Sequence, residues 1–95
     1  MAAWFVERRL TQVSSRLREL REELAMIDEQ VAHFDADADD TAIRALVSET
    51  PGAVFESNDA RKHADAMARH RDHVVRSIAE LERRQDELLD KLSAS

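Results

Sequence analysis

An all-α fold, an antiparallel coiled-coil helical hairpin with a short helix at its tip, follows from three features of this 95-residue sequence. Apolar residues recur with a 3.5-residue period in two long runs, turn-forming residues are nearly absent, and strong helix formers such as Ala, Leu, Glu and Arg dominate. One Gly, one Pro and no Tyr leave a β-rich fold without its turns and aromatic runs. Charged residues make up 36% of the chain, a share suited to long solvated helices. At this length one domain, residues 1–95, is expected.

The first predicted helix spans 3–34. Its apolar residues are Val6, Leu10, Val13, Leu17, Leu20, Leu24, Ile27, Val31 and Phe34. The spacing alternates four and three without a miss, placing Leu10 and its heptad equivalents at position a and Val6 and its equivalents at d. Such a narrow stripe calls for a partner helix. The second helix is predicted over 57–93, with Ser57 as its N-cap. Its stripe is Ala60, Ala64, Met67, Arg71, Val74, Ile78, Leu81, Gln85, Leu88 and Leu92. Arg71 and Gln85 interrupt the seam, at a cost in stability, and such polar seam residues fix register. Between the helices, 35–56 reads as an acidic tip. Within it "DDTAIRALVSE" predicts one short helix, with Ile43, Leu46 and Val47 as its apolar side and Pro51 and Gly52 as its stop.

In the hairpin Val6 lies near Leu92 and Phe34 near Ala64. Several apolar residues fall outside the seam. Ala68, Val75 and Leu89 share position e, and Trp4 and Phe5 stand beside the first stripe. One expectation is local packing, with the tip helix over Ala68 and Val75 and with Trp4 over Leu89. The other is an oligomer surface of Trp4, Phe5, Val75 and Leu89, which pairs two hairpins as a homodimer in a four-helix bundle.

The net charge is −6, and it is unevenly spread. Residues 28–59 hold nine acids against Arg44 alone. Four of them, Asp35, Asp37, Asp39 and Asp40, stand in "FDADADDT". A field of that kind steers a cationic partner. The segment "DADADDTAIRAL" begins like a calcium loop, but Asp40 stands where the loop needs Gly and Leu46 where it needs a bidentate Glu. That leaves weak divalent-metal binding or a solvated acidic loop. A two-helix hairpin with acids at its bend also resembles, in architecture, the N-terminal coiled coil of Gre-type transcript-cleavage factors. That resemblance implies a partner, RNA polymerase, and acids that help hold a magnesium, here Asp35, Asp37, Asp39 and Asp40. The segment "SNDARKHADAMARHRDH" carries a trace of the same likeness; the helix within the tip departs from it. The phrases "ALVSETP", "RKHADAMARHRDH" and "IAELERRQDELLDKL" resemble a family of small conserved actinobacterial coiled-coil proteins, which implies no particular activity.

Other chemistry finds little in the sequence. There is no Cys, so no thiolate nucleophile and no Cys-held zinc. The imidazoles are His33, His63, His70 and His73. No Glu-x-x-His, the usual metal motif of helical bundles, accompanies them, although two of them with Asp35 or Asp65 would suffice for zinc. No nucleophile–base pattern or Gly-rich phosphate loop is present, so no catalytic residue and no cofactor are predicted. Arg8, Arg9, Arg16, Arg18 and Arg21 interleave with Glu7, Glu19, Glu22 and Glu23, as ion pairs on a wet helix face do. With the negative balance this argues against direct nucleic-acid binding. No apolar run approaches the ~20 residues of a membrane span, and "MAAWFVERRL" lacks a signal-peptide core. The expectation is a cytoplasmic, non-enzymatic protein-interaction module. Its partner-binding residues would be Asp35, Asp37, Asp39, Asp40, Ile43, Leu46 and Phe55; a structural homo-oligomer is the alternative.

Overall fold

The structure is a computed structural model and describes residues 2–94. It is an all-α antiparallel helical hairpin: α1 spans Ala2–Ser48 and α2 spans Pro51–Ala94. Among the described residues there is no strand, and only Glu49 and Thr50 lie outside a helix.

The expected segmentation is corrected in the middle. No separate tip helix exists over 35–56, and α1 does not end at Phe34. It runs on for fourteen more residues. The reason lies in the seam, whose 4,3 spacing continues past Phe34 through Ala38, Thr41, Ala45 and Ser48. On α2 the same spacing runs back from Ala60 through Ser57 to Ala53. Small and hydroxyl-bearing residues therefore carry the period where large apolar ones stop. Ala38 and Thr41 are buried. The Thr41 hydroxyl donates to the carbonyls of Asp37 and Ala38, both at 3.0 Å, so its burial leaves no polar group unsatisfied.

Glu49 and Thr50 make the turn, and Ser57 is not the N-cap of the second helix. Glu49 takes a left-handed conformation, φ 53°, and its N–H donates to the Ala45 carbonyl at 3.0 Å, which is the αL way of ending a helix. Thr50 is the N-cap of α2. Its Oγ1 accepts from the Ala53 N–H at 3.2 Å, and its carbonyl accepts from the Val54 N–H at 3.1 Å. Pro51 follows at the first helical position, where a missing N–H costs nothing. It starts a helix here rather than stopping one. Ser57 stands inside α2, half-buried in the seam.

Two compact units result: Met1–Leu24 with His73–Ser95, the terminal unit, and Ala25–Asp72, the turn unit. In the terminal unit Val13, Leu17, Leu20, Val74, Ile78 and Leu88 are buried. Gln85 sits in this seam, and its side-chain amide donates to Ser14 Oγ at 3.1 Å. In the turn unit the buried apolar residues are Ile27, Ala38, Ala60 and Ala64, with Phe34 packed against the three alanines. Arg71, the other polar seam residue, leans out to a hydrogen-bonded ion pair with Asp28. That hydrogen bond, followed by the Asp28 charge, raises the Arg71 pKa; partial desolvation opposes it. Both polar interruptions thus find partners on the facing helix. Every residue of the two predicted stripes is buried or half-buried.

Candidate functional site

Extending the seam decides which side chains are left outside. In the turn unit the seam positions 38, 41, 45, 53, 57 and 60 hold small residues. Each large apolar residue near the turn therefore falls elsewhere on its helix. Ile43, Leu46 and Val47 on α1 and Val54 and Phe55 on α2 are 46–82% exposed. A stretch that was expected to pack as a separate helix over Ala68 and Val75 instead turns its apolar side to solvent. Ala68 is exposed and Val75 is 37% exposed. Of the expected partner-binding residues, Ile43, Leu46 and Phe55 flank the turn. Val47 and Val54 join them; Val47 was expected on the apolar side of a tip helix, and neither was expected among the partner-binding residues. The signal for both was present in the heptad count, since neither occupies position a or d once the period is carried through.

The four aspartates are placed differently from expectation. They lie on α1, nine to fourteen residues before Glu49, in a regular helix and not in a bend. At 1.5 Å rise per residue the nearest is about 13 Å along the helix from the turn. Their heptad positions are e, g, b and c, so they are spread around α1 and do not converge. Asp39 accepts from Arg61 on α2 at 3.1 Å, and Asp40 pairs with Arg44 one turn on at 2.7 Å. Among the described residues, no cationic group stands within 4.0 Å of Asp35, Asp37, Glu49 or Glu56. The turn unit as a whole holds eleven acids against five bases, a net −6. The terminal unit is neutral, with nine of each. All of the excess charge of the chain thus sits in the turn unit.

The helical course removes the calcium-loop reading, since "DADADDTAIRAL" has no loop conformation to wrap an ion. Nor do the histidines gather. His63 Nε2 lies 3.4 Å from Asp59, one turn back on its own helix, and its ring stacks on Phe34 with centroids 6.2 Å apart. His33 and the same phenyl ring lie in an edge-to-face arrangement, centroids 5.6 Å apart. Among the described residues, no three of His, Cys, Asp and Glu come together as a metal site.

Of the expected oligomer surface, Phe5 lies on the groove flank of the hairpin. Trp4 and Phe5 meet edge to face at 5.0 Å, and the Arg8 guanidinium lies 5.5 Å from the centre of the Trp4 ring. Phe5 lines a groove with Arg9, Arg84 and Leu88. Val75 and Leu89 hold position e, on the other flank of the α2 stripe from Arg84 at g. The g positions Arg9 and Arg16, expected on a wet, ion-paired helix face, line the groove together with Arg84 at g on α2, which was not singled out from sequence.

No protein family, curated protein or solved structure matches the chain. Among the described residues, no helix is long and apolar enough to cross a membrane.

Proposed function

We propose that the chain is a non-enzymatic protein-interaction module that docks through the apolar residues around its turn. The observation that carries this reading is the exposure of Ile43, Leu46, Val47, Val54 and Phe55 in a chain that buries or half-buries both of its long apolar stripes. Large exposed apolar side chains gathered at one end of a chain are candidates for an interaction surface, and burial of each gives ~1.5–3 kcal/mol of driving force. The unpaired acids Glu49 and Glu56 beside them select a partner whose apolar pocket is rimmed by Lys or Arg. Rim charges of this kind act mainly on the rate and salt dependence of association.

RNA polymerase is the first partner to test, on the architectural resemblance to Gre-type hairpins. The magnesium-holding form of that reading has little support, because Asp35, Asp37, Asp39 and Asp40 neither stand at the turn nor face one another. The test uses the intact protein and purified polymerase, then an extract of the native cell. Leu46→Asp with Phe55→Asp is expected to weaken capture at least about tenfold. Asn at all four aspartates is expected to slow association with a smaller loss of affinity. Capture indifferent to the Leu46 and Phe55 changes would overturn the reading. Capture abolished by the Asn changes alone would return the acids to the centre of it.

A further inference from the structure

The groove of the terminal unit raises a separate question, because its charge is opposite to that of the turn unit. Its floor is apolar, formed by Val13, Leu20, Leu81 and Leu88. Its largest part encloses about 610 Å³. Its walls carry Arg9, Arg16, Arg83 and Arg84 against only Glu80 and Glu87. Arg16 and Arg84 each reach a glutamate one turn along their own helix, at 3.1 and 3.2 Å. Arg9 and Arg83 have no carboxylate within 4.0 Å among the described residues. A cationic groove with a hydrophobic floor takes a helical face that is acidic along its edges and apolar at its middle or end.

The turn unit carries such a face. On α1, Asp37, Asp40, Arg44 and Val47 recur at intervals of three and four, the spacing of one helical stripe. They hold heptad positions g and c. On α2 the same two positions hold Glu56, Asp59 and His63. Four carboxylates therefore face one guanidinium, with Val47, 82% exposed, as the apolar end. Asp37 and Glu56 lack ion-pair partners within 4.0 Å. The groove lining is +2 and the stripe −3, counting histidine as neutral.

We infer that the groove of the terminal unit receives the acidic stripe of the turn unit from a second copy of this chain. Charge complementarity selects that occupant. The excess negative charge of the chain is confined to one unit and the arginine-lined groove to the other, so every copy presents both halves of the contact. Contact between two acidic turn units is disfavoured by like charge, and so is a turn unit on an anionic surface. Such a contact is heterologous, joining different surfaces of the two copies. It shares Val47 and Glu56 with the foreign-partner surface but uses neither Leu46 nor Phe55, so substitutions at those two residues separate the contacts.

Sedimentation velocity of the intact protein at about 50 mM and about 500 mM salt tests the inference, since exposed charges are screened within a few ångströms at the higher value. The wild type is expected to self-associate at low salt, with affinity at least about tenfold weaker at high salt. Two variants then exchange the charges: Arg9→Glu with Arg16→Glu in the groove, and Asp37→Lys with Asp40→Lys on the stripe. Each alone is expected to be monomeric and fully helical by circular dichroism, and an equimolar mixture is expected to associate again. A wild type that stays monomeric at low salt would overturn the inference, and so would variants that associate as the wild type does. A mixture of two helical variants that remains monomeric would do the same. If the monomeric wild type instead binds an oligonucleotide in a manner lost on groove reversal, the groove belongs to a polyanion and not to a second copy. The Leu46→Asp, Phe55→Asp variant is expected to self-associate normally, which separates this result from the foreign-partner test.

Discussion

Glu49 and Gly52 are placed against their backbone preferences. The residue at positive φ is a glutamate, although an L side chain in the left-handed region crowds the following carbonyl at a cost of ~1–2 kcal/mol. The one glycine of the chain lies three residues later in an ordinary helical turn, and a Cβ built on it meets nothing within 4 Å. Glu49→Gly is therefore expected to raise stability by about 1 kcal/mol, and Gly52→Ala by about 0.5 kcal/mol through the unfolded chain. Thr50→Ala, between them, removes the cap of α2 and is expected to cost about 1 kcal/mol. Urea titration of the three variants checks both sign and order. A second set concerns the seam hydrogen bond from Gln85 to Ser14. Ser14→Ala strands a half-buried amide and is expected to cost about 1 kcal/mol, whereas Ser14→Ala with Gln85→Leu recovers that loss or more. A double-mutant cycle reads the coupling directly.

The two long elements differ in what their seam is made of along their length. Where Leu17 is fully buried, truncation leaves a void, and Leu17→Ala is expected to cost about 3 kcal/mol. Where Ala38 meets Ala60 and Ala64, the hazard runs the other way. Ala38→Leu overfills a space built for methyl groups and is expected to cost ~1–3 kcal/mol. Phe55→Ala, on the exposed side, is expected to stay within about 0.5 kcal/mol of wild type. Chemical denaturation of the three separates cavity, overpacking and surface effects. This same contrast explains what could be read in advance. The stripes from Val6 to Phe34 and from Ala60 to Leu92 were legible because Leu, Ile and Val carried the period. The continuation through Ala38, Thr41, Ala45, Ala53 and Ser57 kept the identical spacing. Alanine and hydroxyl residues, however, score as neither core nor loop, and alternation with aspartate made the segment read as a hydrophilic bend. Ile43, Leu46 and Phe55 were legible as apolar residues. Their exposure was not, because it depends on where the seam passes. Of the groove arginines, Arg9 and Arg16 were expected in ion pairs within their own helix, which holds for Arg16 and not for Arg9, and Arg83 and Arg84 carried no expectation.

At the scale of the molecule, the distribution of large and small core residues sets a gradient of local stability. The terminal unit buries six large aliphatic side chains, and the turn unit buries one, Ile27, with three alanines and a threonine. Each Val or Leu contributes ~1.5–3 kcal/mol on burial, well above an alanine methyl. Native-state amide exchange is therefore expected to be slowest around Leu17, Leu20, Val74 and Ile78. Around Ala38–Ala45 and Ala53–Ala60 it is expected to be faster by about tenfold or more, the equivalent of each ~1.4 kcal/mol. Uniform protection across both units would show that the chain opens only as a whole. The two-residue connection has its own consequence. A glutamyl endopeptidase offered the folded protein has one non-helical glutamate to attack, Glu49, and a cut there removes no seam residue from either side. The chain is in that sense already divided into two complementing fragments, 1–49 and 50–95. Their dissociation constant once severed would report the strength of the zipper with loop-closure entropy taken out, and each fragment could carry half of a split reporter.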